Sequence, residues 1–338
     1  MKSYAAIDLH SNNSVLAVLD EAGNLLHEQR YPNQLSTLTE ALTPYRTTLV
    51  GVVVESTYNW YWLVDGLMEA GFQAHLAHTA AVPQYAGLKH GNDFTDARHL
   101  ANLLRLGILP EGYIYPKAQR GLRDLLRRRS TLVRAQTRQM LFLHTLWTRS
   151  TGERLPATAL RRLTEVDLVR TFSDPHIRRS AAVTWKVWQT LHTEVDALER
   201  EVHRSVRSSP ELAHLQSVPG IGPVLGLTIL LETGAIQRFQ GVGDYASYCR
   251  CVDSQRLSNG KQKGTGNSKC GNRYLAWAYI EAANYALRFS PPIRRWYDRK
   301  RAKHHRMVAL KAVAHKLARA CYHLLRDQAD FDVQRAFA

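Results

Sequence analysis

The chain has 338 residues, 45% of them hydrophobic, which is enough for two cores or for one core carrying a large insertion. Lysine and arginine total 45 against 29 acidic residues, a formal net charge of +16 that favours a polyanionic partner over a small acidic metabolite. No apolar run is long enough to span a bilayer and nothing ahead of Asp8 reads as a signal peptide, so a cytoplasmic protein with no membrane partner is expected.

In chain order, Tyr4 to Leu9, Ser14 to Leu19 and Leu25 to Arg30 read as three strands of an antiparallel meander, with a turn at Glu21-Ala22-Gly23-Asn24. A helix around Leu38 to Tyr45 follows. The apolar run from Leu49 to Val54, leading into Glu55, suits a buried central strand. A helix near Trp60 to Ala70, a strand at Phe72 to Leu76 and a helix from about Thr95 to Leu106 complete a βββαβαβ order with a helix after it.

Beyond this the chain turns helical. Between Gln119 and Trp147 stand Arg120, Arg123, Arg127, Arg128, Arg129, Arg134 and Arg138 among regularly spaced leucines, so one face is expected to pack and the other to be strongly positive. Trp188, Leu191, Val195, Leu198 and Val202 follow the three-four spacing of a coiled-coil seam, a candidate dimer contact, or the core stripe of an ordinary bundle helix. The turn Val218-Pro219-Gly220-Ile221-Gly222 leads into an apolar helix from Val224 to Leu231. The segment from Ser254 to Asn272, rich in Gly and Lys, has no hydrophobic period and reads as a mobile basic loop. Helices at Tyr274 to Leu287 and Ile293 to Arg326 close the chain. The four cysteines, Cys249, Cys251, Cys270 and Cys321, lack paired CxxC spacing, which leaves reduced structural thiols as their reading.

Four acids carry the chemistry. Asp8 lies in the first strand between apolar neighbours, Glu55 ends the fourth strand, and Asp93 and Asp96 stand before or inside the helix that follows. With strand order 3-2-1-4-5 the first and fourth strands are parallel neighbours, so Asp8 and Glu55 converge on one cleft and the helix supplies two more carboxylates, three apart on one face. Taken singly, each reads as a cap, a turn residue or a solvated charge, and Asp93 also fits a helix N-cap with Asp96 at the third position. Taken together, hard oxygen donors with incomplete protein coordination suit Mg²⁺ and metal-assisted phosphodiester chemistry.

The segments Ala6-Ile7-Asp8, Glu55-Ser56-Thr57, Asn92 to Arg98, Val218 to Gly222 and Ser258-Asn259-Gly260-Lys261 through Lys269-Cys270-Gly271-Asn272-Arg273-Tyr274-Leu275 together resemble the IS110 (IS-one-ten) family of insertion-sequence transposases. These enzymes are also called DEDD transposases or bridge-RNA-guided recombinases. The resemblance spans nearly the whole chain in order. It implies an α/β plus α architecture: a RuvC-like domain of RNase H fold at 1–112, an Arg-rich helical and coiled-coil region at 113–212, and a C-terminal transposase domain at 213–338, mainly α-helical, with a helix-hairpin-helix-like element. It also implies that Asp8, Glu55, Asp93 and Asp96 form the acidic tetrad. A serine, here Ser258 with Ser254 and Ser268 as alternatives, attacks a DNA phosphate to form a covalent link in a site composed between subunits. Donor and target DNA, a structured non-coding guide RNA and a homo-oligomer, dimer or tetramer, are the implied partners. Here Thr57 is followed by Tyr58-Asn59, and the residues before Ser258 lack the proline common in the family.

For nucleic-acid contacts the sequence offers Arg120, Arg123, Arg127, Arg128 and Arg134, the backbone at Gly220 and Gly222, Lys261, Lys263, Lys269 and Arg273 around the serine, and Arg299, Lys300 and Arg301 near the end. Trp296 and Tyr297 are candidates to stack on an unpaired base or to sit in the core. A structure-specific nuclease using the carboxylates without a covalent serine, and a non-catalytic nucleic-acid-binding scaffold, are the competing functions.

Overall fold

The computed structural model describes residues 1–82, 92–206, 209–252, 255–265 and 270–338. Their internal contacts divide them into two units, Met1–Lys117 with Ser254–Cys270, and Ala118–Asp253 with Gly271–Ala338. Ser254, Gly266, Ser268 and Lys269 lie outside the described residues.

The first unit is built on a five-stranded sheet. Strands β1 (Ser3–Leu9), β2 (Asn13–Asp20) and β3 (Leu25–Pro32) form an antiparallel meander. The Asp20 carboxylate accepts from the backbone N–H groups of Ala22 and Asn24 and so closes the β2–β3 turn. Helix α1 (Leu35–Leu42) precedes β4 (Leu49–Glu55), which pairs parallel with β1, and α2 (Tyr61–Glu69) precedes β5 (Ala74–Ala77), parallel with β4. The order β3-β2-β1-β4-β5 is the one expected from the sequence. Helix α3 (Asp93–Arg105) comes next.

Both faces of β1 and β4 are covered, and the two-residue period of a strand decides which side chain meets which cover. Ala5, Ile7, Leu9, Val52 and Val54 pack with Leu38 and Leu42 of α1 and Leu63 and Leu67 of α2. Ala6 and Val53 pack with Leu100, Ala101 and Leu103 of α3. Asp8 and Glu55 share the parity of Ala6 and Val53, so both stand on the α3 side of the sheet.

The second unit is helical. It comprises α4 (Lys117–Thr151), α5 (Ala157–Leu160), α6 (Glu165–Thr171), α7 (Pro175–Val206), α8 (Pro210–Gln216), α9 (Pro223–Thr233) and α10 (Val242–Tyr248). The chain then forms a hairpin, β6 (Gln255–Ser258) and β7 (Lys261–Thr265), grouped with the first unit, before returning as α11 (Arg273–Phe289), α12 (Pro291–Arg301), α13 (Arg306–Asp327) and α14 (Val333–Phe337). The main core of this unit gathers Ile229, Tyr245, Leu275, Tyr279, Ile293, Val313 and Leu317.

Several expectations from the sequence change here. The segment read as a loop without order contains the β6–β7 hairpin, whose turn residues Asn259 and Gly260 have φ of 51° and 70°. Two consecutive positive φ values define the type I′ turn that matches strand twist, and Asn-Gly is its preferred pair. The single closing helix breaks at Ala302–His305, where the His305 ring nitrogen accepts from the Met307 N–H and starts α13 afresh. Trp188 and Val202 of the proposed coiled-coil seam are buried within the chain itself, Trp188 with Leu143 and Phe172 and Val202 with Leu126 and Leu212, which accounts for the spacing as a bundle-helix stripe. Tyr297 is buried, and Trp296 meets the Phe337 ring edge-on with the Lys316 ammonium over its face. Tyr297 belongs to the core, and Trp296 is half-buried and packed against it.

Candidate active site

The carboxylates of Asp8, Glu55, Asp93 and Asp96 meet beside the end of β1. Asp8 is 3% exposed, in line with Val15 of β2. Glu55, the last residue of β4, stands beside Asp8. Asp93 and Asp96 come from the first turns of α3, whose N-cap is Asn92: its side chain accepts from the Thr95 N–H. This corrects the reading of Asp93 as the cap. With Asn92 in that place, both aspartates are helical residues near the positive end of the helix dipole.

Two further residues stand among the four acids. His10, just past β1, puts Nε2 3.1 Å from Asp8 Oδ2 and 3.4 Å from Asp93 Oδ1. Arg30 of β3 donates from Nη2 to Asp93 Oδ2 at 2.6 Å and from Nη1 to Asn13 Oδ1. The backbone of His10 is pinned on three sides. Its N–H donates to the Asn13 carbonyl, and its own carbonyl accepts from Asn33 Nδ2 and Asn59 Nδ2, each at 3.0 Å. Thr57 Oγ1 in turn donates to Asn59 Oδ1. The Thr57-Tyr58-Asn59 departure noted in the sequence thus has a structural use. His10 itself was missed, although its two-residue offset from Asp8 at a strand end was a usable signal.

The electrostatics are those of crowded acids. Burial, the hydrogen bond to Asp8 and the nearby charges of Asp8 and Asp96 push the Glu55 carboxyl up to about 8, so it holds a proton at neutral pH. Burial and the charges of Asp8 and Asp93 raise Asp96 as well. Asp93 goes the other way, lowered by its hydrogen bond to Arg30. Such a set relieves its repulsion by binding protons or cations.

The residues present fit a divalent cation. One ligand atom each from Asp8, His10 and Asp93 lie within 4.8 Å of one another. His10 Nε2 is shielded from solvent and turned towards the Asp8 and Asp93 carboxylates, so a nitrogen donor stands beside two oxygen donors.

Ser258 is exposed and ends β6, immediately before the Asn259-Gly260 turn. In the second unit, the motif residues that follow the hairpin are firmly held. Gly271 has φ of 85°, and a Cβ there would sit 2.7 Å from the Tyr248 carbonyl. Asn272 caps α11 by accepting from the N–H groups of Tyr274 and Leu275, and its Nδ2 donates to Glu232 Oε2 at 2.7 Å. Glu232, 3% exposed on α9, also receives two bonds from Arg127, at 2.6 and 2.7 Å. The Gly-Asn pair is therefore an anchor of the fold.

That arrangement revises the basic face expected on α4. Arg120 and Arg123 are buried, Arg127 is tied to Glu232, and Arg129 donates to Glu199. The expectation rested on the scarcity of acids nearby in sequence, but Glu232 lies 105 positions from Arg127. Arg128, Arg134 and Arg138 are the exposed arginines of this stretch. Lys261, Lys263, Arg273, Arg299 and Arg301 are exposed and Lys300 is half-buried. Gly220 has φ of 94°, and a Cβ there would collide with the Ala282 carbonyl and Ala286 amide of α11, so its glycine serves helix packing. Gly222, the N-cap of α9, faces open space, but Pro223 after it removes one backbone donor.

Two family models match successive parts of the chain. The family model described as Transposase IS116/IS110/IS902 family matches residues 212–298, and a second transposase model, of the DEDD IS110 type, matches residues 5–149. The transposase for insertion sequence element IS1328 of Yersinia enterocolitica is 22% identical over 324 residues, 94% of each chain. The transposase for insertion sequence element IS1111A of Coxiella burnetii is 22% identical over 290 residues, 83% of this chain and 77% of the other. A probable family 20 transposase of Pseudomonas aeruginosa is 28% identical over 141 residues, 40% of this chain and 42% of that protein. With both models matched in order on one chain, and with relatives aligned along most of its length, the protein belongs to the IS110 family of insertion-sequence transposases.

Proposed function

We propose that the chain is a DNA recombinase whose sheet domain, an RNase H-like unit over 1–112, supplies the Asp8, Glu55, Asp93 and Asp96 carboxylates, and whose Ser258 forms a covalent link to DNA. The observation that carries the reading is the convergence of the acids on the α3 side of the sheet: Asp8 and Glu55 close two paired parallel strands, and one His10 nitrogen lies 3.1 Å from Asp8 and 3.4 Å from Asp93. The grouping of the Ser258 hairpin with the sheet, in the unit Met1–Lys117 with Ser254–Cys270, supports joint action of the serine and the carboxylates. The region 113–212 is a helical linker and 213–338 the transposase domain.

In this reading the acids hold Mg²⁺, which when bound neutralises charge on a phosphoryl group and makes a hydroxyl easier to ionise. Ser258 Oγ attacks the DNA phosphorus. The O–P bond to serine forms, the bond to one DNA oxygen breaks, and the hydroxyl proton passes to solvent or a base while the departing oxygen takes up another. One phosphodiester replaces another, so the reverse attack rejoins DNA without an added energy source. The exposed Lys261, Lys263 and Arg273 flank the serine in sequence, and with Arg128, Arg134, Arg299 and Arg301 they suit phosphate contacts. A structured guide RNA and assembly as a dimer or tetramer belong to the same reading, by membership of the family and by the net charge of +16.

The test incubates the protein with the DNA ends and non-coding RNA of its own element and Mg²⁺, then denatures and looks for DNA attached to protein. An adduct lost in Ser258→Ala, with recombination lost in Asp8→Asn, is expected. DNA cleavage that survives Ser258→Ala and leaves no adduct would show a nuclease of the same carboxylates instead. DNA binding without cleavage under any divalent cation would mark a scaffold.

A further inference from the structure

We infer that His10 is a nitrogen ligand of the cation site, so that Asp8, His10 and Asp93 form a mixed nitrogen and oxygen centre favouring Mn²⁺ over Mg²⁺; this rests on the cation-binding reading above. Three observations carry it. The His10 Nε2 atom lies 3.1 Å from one Asp8 oxygen and 3.4 Å from one Asp93 oxygen, a spacing a single ion can bridge. That nitrogen is hidden from solvent although the ring as a whole is 39% exposed, so Nε2 is turned into the acidic cluster and faces the two carboxylates. The backbone beneath it closes the β1–β2 turn onto Asn13, and its carbonyl is held further by the Asn33 and Asn59 side chains, so the ring has a fixed base.

Imidazole is a borderline donor. It suits Mn²⁺ and later first-row ions better than Mg²⁺, which prefers oxygen and keeps its waters. Asp93 also has a partner in Arg30: one of its oxygens accepts from the guanidinium at 2.6 Å while the other faces His10. Coordination through Nε2 requires the neutral tautomer with its proton on Nδ1.

The experiment is Mn²⁺ titration of the full chain, followed by pulsed electron paramagnetic resonance for nitrogen coupled to the bound ion. Wild type is expected to bind Mn²⁺ more tightly than Mg²⁺ and to show nitrogen coupling. His10→Asn is expected to lose that coupling and on the order of tenfold or more in Mn²⁺ affinity, with Mg²⁺ affinity changed far less. Metal-free thermal unfolding of His10→Asn, expected to match wild type within a few degrees, shows that the variant is folded. Bound Mn²⁺ without nitrogen coupling in wild type overturns the role of His10 and leaves the carboxylate site standing. Absence of Mn²⁺ binding in wild type overturns both.

Discussion

The Asp8 and Glu55 carboxyls stand at neighbouring ends of two parallel strands, and burial first, then the adjoining Asp8, holds the Glu55 proton to about pH 8. Between the ordinary value of 4.5 and about 8 the folded chain therefore holds a proton that the unfolded chain has released. In that window the stability of the metal-free protein falls as pH rises, and above it this contribution levels off. Glu55→Gln, which keeps the shape and cannot ionise, is expected to remove that slope in chemical unfolding run across the same pH range.

A bound cation reverses the preference. Because it needs the ionised carboxyl, Mg²⁺ or Mn²⁺ binding is expected to strengthen with pH up to about 8 and to release close to one proton at pH 7. Calorimetry in two buffers of different ionisation enthalpy measures that release. Uptake that is independent of pH would place the ion away from Glu55.

Half-buried Arg127 and buried Glu232 and Asn272 form a hydrogen-bonded network in the helical unit. Glu232→Ala leaves a guanidinium and an amide without their acceptor and is expected to destabilise this unit by about 3–5 kcal/mol. Asn272→Ala removes the cap of α11 as well as one bond to Glu232, and is expected to cost roughly 1–3 kcal/mol. Urea unfolding of the two variants gives the comparison, with the Glu232 change the larger.

Within one motif, two glycines have different duties. Gly220→Ala meets both a positive φ and the backbone of α11, so a loss of at least about 2 kcal/mol is expected. Gly222→Ala has an ordinary φ of −84° and open space, so stability should change by less than about 1 kcal/mol. Any loss of DNA affinity in Gly222→Ala, measured at fixed salt, would then report a phosphate contact and not a folding defect.

The Asn259-Gly260 turn offers a separate handle on the serine. Gly260→Val forces a β-branched side chain to a φ of 70° and is expected to disturb the end of β6 at Ser258. Adduct formation should drop on the order of tenfold or more while Mn²⁺ binding at the carboxylates stays unchanged. Equal loss of both would indicate a general folding fault.

The sheet was legible because its signals are local: short apolar runs in β1 and β2, an apolar run in β4 that ends at Glu55, and a Gly-Asn turn before β3. From strand order alone Asp8 and Glu55 could be placed on one side of the sheet. What escaped depends on partners remote in sequence or on backbone conformation. Glu232 neutralises Arg127 from a different helix, so a charge run looked freer than it is. His10 gained meaning only once α3 brought Asp93 within 3.4 Å. The Asn259-Gly260 hairpin was readable, and the basic, glycine-rich composition around it concealed it.

Anomalous diffraction at the manganese edge, from crystals of the full chain grown with Mn²⁺, tests the central claim most directly. The account predicts a peak within about 2.5 Å of carboxylate oxygens of Asp8 and Asp93. A manganese peak elsewhere, with none beside Asp8, would contradict it.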